Sequence, residues 1–172
     1  MKTPRNVKLS LYDALETLFE TAATFGTAMN VYREKDLHAA TKLVDPYIFL
    51  LDHSVPFTAQ LPVVAMNWEF SYRIFQHGGP SLWHAQLYLN CFGRNRGERE
   101  DISAAIAEGI TDFTVYNYTT STPVSWGKAS QYENIMGEYW TVTYESIGDE
   151  KVVEGTLLNW AAMESRFWIL PS

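Results

Sequence analysis

One stretch of the chain, residues 82–93, limits the possible folds more than any other. Its sequence, LWHAQLYLNCFG, alternates apolar and polar side chains with a period of two. Successive side chains of a β-strand point to opposite faces, so this pattern predicts an antiparallel strand with one buried and one polar face. The buried face would hold Trp83, Ala85, Leu87, Leu89 and Cys91, and the polar face His84, Gln86, Tyr88 and Asn90.

A helix is predicted directly after this strand, beyond the short turn FGRNRG. Glu98, Glu100 and Asp101 lie near its start, where acidic side chains complement the helix dipole. Apolar residues then recur on one side of a helix over about 99–110. They are Ile102, Ala105, Ile106 and Ile110.

A first helix is predicted over about 11–25. Ser10 can cap its start, Asp13 suits the third helical position as a variant of the capping box, and Gly26 suits its end. The apolar stripe of this helix is expected to pack on a sheet. It comprises Leu11, Leu15, Leu18, Phe19 and Ala22.

Most of the remaining chain predicts strands, because β-branched and aromatic residues dominate it. Residues 46–52 and 61–75 form two such runs, and residues 27–36 are a candidate for a short strand. In the second run Trp68, Phe70, Tyr72 and Ile74 share one face, and HGGP at 77–80 predicts a turn.

The last third also predicts strands. Residues 112–120 give one strand, and residues 139–163 give a hairpin whose turn is IGDE. Residues 119–138 between them are interpreted as a long polar loop. The order of helix, strands, helix, strands lacks the regular alternation of parallel βαβ units. We therefore predict an α+β fold of mostly antiparallel sheet, with the N-terminal helix and a second helix (about 99–110) packed on it.

Length and composition indicate one soluble domain, residues 1–172. The single cysteine cannot form an intramolecular disulfide, which fits a reducing compartment. The N-terminus lacks the apolar segment of a secretory signal, and no apolar run approaches the roughly 18 residues of a membrane span. We expect an intracellular protein with no membrane association. The formal net charge of −7 argues against broad binding to a nucleic-acid backbone.

No motif in the sequence supports a catalytic or metal-binding site. His53, His77 and His84 lie in or near the β region beside Asp52, without the close local pairing of metal ligands. We expect these histidines to be exposed or hydrogen-bonded. Cys91 is predicted on a buried face, where a thiol is inert, and no nucleophile-elbow motif occurs. The sequence predicts a protein that is not an enzyme and has no catalytic, metal or cofactor-binding residues.

The charged turn after residue 93 has three possible roles: an anion site at a helix N-terminus, a solvated turn, or a contact between chains. The turn matches neither glycine-rich phosphate motif, and the acidic residues after it would repel a phosphate. Charges of both signs suit pairing with a second copy of the chain. We favour a subunit interface made by Arg94, Arg96, Glu98, Arg99, Glu100 and Asp101.

A family resemblance follows from the order of these features. The N-terminal helix, the PFTAQLPVV segment and the strand that runs through a polar turn into REDISAAIAEGI resemble the tail terminator proteins of long-tailed bacteriophages. The resemblance covers residues 10–120, which would form the core. It leaves a C-terminal strand and hairpin, about 135–165, as an extension that would contact a neck protein or lengthen the sheet.

The resemblance implies a structural virion protein of the tail and neck, present in the host cytoplasm during assembly. It would form a homo-oligomeric ring, usually of six copies, that ends the tail tube and joins it to the head connector. The implied partners are the tail tube protein, the connector or stopper protein, and DNA that only passes through the lumen. The charged turn and the 119–138 segment would be contact sites.

Three alternatives remain open. The protein could be another phage neck or tail-completion protein with the same features. It could be a small-molecule-binding α+β domain or an enzyme, with Trp68, Tyr72 and Tyr88 as walls of an aromatic pocket. It could also be an adaptor that docks another protein through those aromatic residues.

Overall fold

The structure is a computed structural model that describes residues 3–21, 25–37, 42–52, 61–73, 82–119, 121–143 and 157–171. The described helices and strands follow one another along the chain. They are α1 (Thr3–Glu20), β1 (Asn30–Arg33), α2 (Glu34–Leu37), β2 (Tyr47–Asp52), β3 (Val63–Arg73), β4 (Leu82–Gly93), α3 (Arg96–Gly109), β5 (Asp112–Asn117), β6 (Val124–Thr143) and β7 (Leu157–Pro171).

The described strands form one seven-stranded sheet in the order β1-β2-β3-β4-β7-β6-β5. β1 and β3 pair with β2 in parallel, and the other pairs are antiparallel. The main hydrophobic core lies between one face of this sheet and the helices α1 and α3. The predicted α+β class, with two helices on a mostly antiparallel sheet, is confirmed.

β4 is the predicted strand with one buried face. Leu87 and Leu89 are fully buried beneath the helices, whereas Gln86 and Tyr88 face the other side and are half-buried. His84 departs from this alternation, because it lies on the polar face yet is only 8% exposed. The side chains of neighbouring strands cover its ring.

α1 begins at Thr3 and ends at Glu20, rather than running over 11–25. The apolar stripe extends one turn earlier than predicted, since Val7 is fully buried in line with Leu11 and Leu15. Ser10 therefore lies inside the helix and is not its cap. Its hydroxyl instead donates a hydrogen bond to the carbonyl of Asn6, at 2.8 Å, within the same helix.

α3 begins three residues earlier than the predicted 99. Asn95 caps it, and the Asn95 side chain accepts a hydrogen bond from the Glu98 N–H at 2.9 Å. The predicted apolar side is confirmed, because Ile102 and Ile106 are buried against the sheet. Gly93 allows this tight junction, since a Cβ there would lie 2.6 Å from the backbone nitrogen of Arg99.

The prediction of a long polar loop over 119–138 is wrong, because β6 occupies residues 124–143. The many polar residues of β6 give no apolar alternation that would predict a strand. Gly127 and Ala129 are nevertheless buried between β5 and β7. The backbone ladders on both sides stabilise a segment whose side chains have modest strand propensity. β6 and β7 form the predicted antiparallel hairpin, with Tyr139 opposite Ala161, and the predicted IGDE turn lies outside the described residues.

Candidate subunit interface

The charged turn is held in shape by its own ion pairs. The Arg94 guanidinium contacts Glu98 at 2.8 Å and Asp45 at 3.3 Å, and it lies over the ring of Tyr47 with 5.5 Å between Cζ and the centroid. The backbone N–H of Arg94 also donates to the Glu98 carboxylate, at 2.6 Å. The turn therefore presents Arg94 in a defined position.

Arg96 is an exposed charge of the turn, with 77% of its side chain accessible. Its Nε donates to Glu100 Oε1 at 2.7 Å, one helical turn further along α3. This contact lowers the pKa of Glu100 and raises that of Arg96. Exposed pairs of this kind contribute little stability, so both charges remain open to a second chain.

Arg99 lies elsewhere than predicted. Its side chain points inward and is 2% exposed, with Nη2 contacting Glu100 Oε1 at 3.2 Å. A side chain buried in this way cannot present its charge to another subunit. The surface charges of the turn are therefore Arg94, Arg96, Glu98, Glu100 and Asp101, and their role as an interface stays a prediction.

The anion-site alternative for this turn is disfavoured by its geometry. A cleft of about 410 Å³ lies beside the start of α3 and is bordered by Arg94, Glu98 and Asp101. The first helical turn is already capped by the Asn95 side chain, and Glu98 supplies a carboxylate where an anion would have to sit. A second negative charge would be repelled from this position.

His84 is hydrogen-bonded, as expected. Its Nδ1 lies 3.2 Å from Ser71 Oγ, its Nε2 lies 2.5 Å from the Tyr132 hydroxyl, and its ring packs on Trp168. Ser71 is directly opposite His84 in the ladder between β3 and β4. The arrangement is thus a polar contact between side chains of neighbouring strands.

Only some of the other candidate metal ligands and nucleophiles lie within the described residues. His53 and His77 lie outside the described residues. Within the described ranges no group of three His, Cys, Asp or Glu side chains could hold a metal ion. Burial raises the pKa of Cys91 to about 12, which keeps the thiol protonated and unreactive.

The predicted aromatic pocket does not form from its three proposed walls. Trp68 pairs with Leu87 in the ladder, whereas Tyr88 pairs with Asn67, so Trp68 and Tyr88 lie on opposite faces of the sheet. The side chain of Tyr72 lies outside the described residues. Trp68 instead stacks on Phe70, with 5.3 Å between the ring centroids.

The sheet edges differ in how they are covered. α1 covers β5, because the Tyr116 N–H donates to Ser10 Oγ at 2.9 Å and the Tyr118 N–H donates to Asn6 Oδ1 at 3.4 Å. β6, in contrast, runs past the end of β5. Beyond Gln131, no described strand pairs with the side of β6 that faces away from β7.

This open edge was missed at the sequence level, because its residues were interpreted as a loop. Tyr132 and Ile135 lie along it and are 46% and 45% exposed. The uncharged, β-rich YWTVT segment at its far end was the available signal, since native edges usually carry charges or prolines.

Comparison with known proteins found no family model and no curated protein that matches this chain. The described helices include none that is long and apolar enough to cross a membrane.

Proposed function

We propose that this protein is a non-enzymatic structural subunit of the tail or neck of a long-tailed bacteriophage. It assembles as a homo-oligomeric ring that ends the tail tube and joins it to the head connector. The observation that carries the proposal is the charged turn between β4 and α3. Ion pairs of Arg94 and Arg96 hold this turn in a fixed shape, and charges of both signs lie at its surface.

A closed ring requires heterologous contacts, in which one surface of a subunit meets a different surface of the next. A turn that carries exposed Arg96 beside Asp101 supplies a charged surface of fixed shape for such a contact. Complementary charges on the neighbouring subunit would set the register of the two chains.

The charge of the whole chain also supports a role around passing DNA. Each phosphate that a protein neutralises adds affinity for the nucleic acid. A ring built from chains with a net charge of −7 would line a conduit that does not hold the DNA.

Charge reversal at Arg96 tests this proposal. Arg96→Glu should abolish rings in mass photometry and negative-stain microscopy while leaving the thermal unfolding temperature unchanged, because the side chain is exposed. Lys128→Glu is the matched control, since Lys128 is an exposed cation on β6 that is 56% accessible. Rings of uniform copy number formed by the Arg96→Glu variant would remove the turn from the interface. A wild-type protein that stays monomeric with and without tail tubes would overturn the ring itself.

A second candidate function is the binding of a small molecule at Trp68. A cleft of about 230 Å³ is lined there by Lys8, Asp52, Trp68 and Phe70. The Trp68 indole Nε1 is buried, and no hydrogen-bond acceptor is found for it in the described part of the chain. A buried donor without a partner is costly, and a ligand that carries an acceptor would satisfy it.

Thermal shift with aromatic carboxylates tests this candidate, because a ligand that binds only the folded state raises the unfolding temperature. Trp68→Phe keeps an aromatic ring on Phe70 but removes the N–H donor. Stabilisation of the wild type that is lost in this variant would support the cleft as a binding site. Equal shifts in both proteins would exclude a role for the indole donor.

A further inference from the structure

We infer that the N-terminal end of α1 in one copy of the chain binds an acidic groove at the C-terminal ends of α1 and α3 in a second copy. In this contact Arg5 of one copy pairs with Glu108 of the next. The contact goes beyond the proposed ring, because it joins copies head to tail in an open chain as well as in a closed ring.

The groove lies where the C-terminal ends of α1 and α3 pack together. A Cβ at Gly109 would lie 2.5 Å from Leu18 Cδ1, so the two helix ends are in contact. The groove beside them has a volume of about 560 Å³. Leu18 and Phe25 contribute apolar atoms to its lining, and Asp101 and Glu108 contribute carboxylates. An occupant must therefore combine apolar atoms with positive charge.

The negative charge of the groove is not neutralised within the described residues. Asp101 and Glu108 are exposed, and neither forms an ion pair with another described residue. Neither α1 (Thr3–Glu20) nor α3 (Arg96–Gly109) has a basic residue in its last turn. Helix C-termini carry partial negative charge that cations normally compensate. Glu108 adds a full charge at such an end, so the groove selects a cation from a partner.

The N-terminal end of α1 carries the opposite charge. Arg5 lies in its first turn and Lys8 in its second, and within Thr3–Glu20 the first turn has no acidic residue. Cations at this end oppose the positive end of the helix dipole. Lys8 is paired with Asp52, whereas Arg5 is exposed and forms no ion pair with a described residue. Natural sequences keep such local conflicts mainly at functional sites.

A buried donor beside Arg5 selects a carboxylate as the partner of this end. Arg5 and Trp68 both line the cleft of about 230 Å³ at the start of α1. The Trp68 Nε1–H is buried and has no acceptor in the described part of the chain. A glutamate side chain from a second copy supplies an acceptor for this donor and a counter-charge for Arg5.

The two surfaces lie at opposite ends of α1, so one copy cannot join them to each other. Arg5 and Leu18 are roughly 20 Å apart along the helix, at about 1.5 Å per residue. Each copy therefore offers its N-terminal end to one neighbour and its groove to another. Such a contact is heterologous, which is the type that builds rings and open chains.

Charge exchange between Arg5 and Glu108 tests the contact. Arg5→Glu and Glu108→Arg should each weaken self-association in sedimentation velocity by at least about tenfold, because like charges then face each other. In an equimolar mixture of the two variants, the reversed charges can pair at one contact and the native charges at the next. Assembly should therefore return in the mixture, which a loss of folding would not allow.

Thermal unfolding provides a second readout, because the two substitutions should not damage the fold. Each one places a charge that complements the nearby helix dipole, so the unfolding temperature should stay the same or rise. Lys35→Glu is the matched control, since it reverses an exposed cation on α2 with the same change in net charge. This control should assemble like the wild type.

Assembly that persists in both single variants, or a mixture that stays dissociated, would overturn the contact. Rings that survive Arg5→Glu and Glu108→Arg but not Arg96→Glu would overturn it while leaving the proposed function in place. Open chains that depend on the Arg5–Glu108 pair would support the contact and overturn the closed ring. A wild type that is monomeric at every concentration, with and without tail tubes, would overturn both.

Discussion

Tyr118, one residue beyond β5, donates a hydrogen bond from its hydroxyl to the carboxylate of Asp13 on α1. The other oxygen of the same carboxylate accepts from Arg33 of β1, at 3.1 Å. β1 and β5 are the first and last strands of the sheet. The sheet therefore curls around α1, and Asp13 links its two edges through the helix.

Removal of the Tyr118 hydroxyl should weaken this link. We expect Tyr118→Phe to lower the free energy of unfolding by about 0.5–1.5 kcal/mol, the usual net contribution of one hydrogen bond. Urea unfolding measures the change. Tyr116→Phe is the matched control, since the Tyr116 side chain is exposed at the same end of β5. Equal losses in both variants would show that ring packing, and not the bond to Asp13, is responsible.

Alkaline pH should destabilise the protein through the same tyrosine. Burial, followed by the contact with Asp13, raises the pKa of Tyr118 to about 12. In the unfolded chain the phenol ionises near its ordinary value of about 10. Its contribution is therefore complete below pH 10 and is lost as the pH rises towards 12. Unfolding temperatures between pH 8 and pH 12 should fall less steeply for Tyr118→Phe than for the wild type, and parallel curves would contradict this.

Ser10 is predicted to be the main support of the β5 edge, because its hydroxyl accepts from the Tyr116 N–H while donating to the Asn6 carbonyl. Ser10→Ala leaves that N–H without its acceptor, and we expect a loss of about 1–3 kcal/mol in unfolding free energy. In the control Thr17→Ala, an exposed hydroxyl that bonds only within α1 is removed, with an expected change of less than about 0.5 kcal/mol. Chemical denaturation measures the unfolding free energy of both variants. Similar losses in Ser10→Ala and Thr17→Ala would contradict the role of Ser10 in stabilising the β5 edge.

The junction between β4 and α3 should tolerate no side chain at Gly93. A Cβ there would lie 2.6 Å from the Arg99 nitrogen and 2.8 Å from the Asn95 carbonyl oxygen. We expect Gly93→Ala to cost about 1–3 kcal/mol, since backbone atoms must move. Gly97→Ala in the first turn of α3 meets its nearest atom at 3.4 Å and should be neutral or stabilising by up to about 1 kcal/mol. Differential scanning calorimetry of the pair measures both effects, and a stable Gly93→Ala protein would contradict the tight junction.

Much of the fold could be predicted from the sequence, where side-chain periodicity reflects burial. β4 and the apolar side of α3 follow from local alternation, because the faces of a strand or helix are set by backbone geometry alone. The stripe Leu11, Leu15 and Phe19 likewise predicted the buried side of α1. The predicted end points of the helices were less accurate, because a helix cap such as Asn95 depends on a single side chain.

Other features of the fold depend on which segments of the chain contact each other. The local sequence pattern of one segment carries no information about its contacts with distant segments. β6 is a strand because β5 and β7 complete its ladder, although its side chains are largely polar. Arg99 is buried because the tight turn at Gly93 directs the start of α3 onto the sheet. Trp68 and Tyr88 are separated by the register between β3 and β4, which no single strand specifies.

The sequence by itself determined the types of most elements and the faces they bury, since 3.6-residue and two-residue periods are properties of a single segment. Only the tertiary structure decided which strands pair with each other and which charges reach the surface. These properties arise from long-range pairing, such as that of Asp13 with Arg33 and Tyr118, where the contacting groups are far apart in the chain and brought together by burial of the common core.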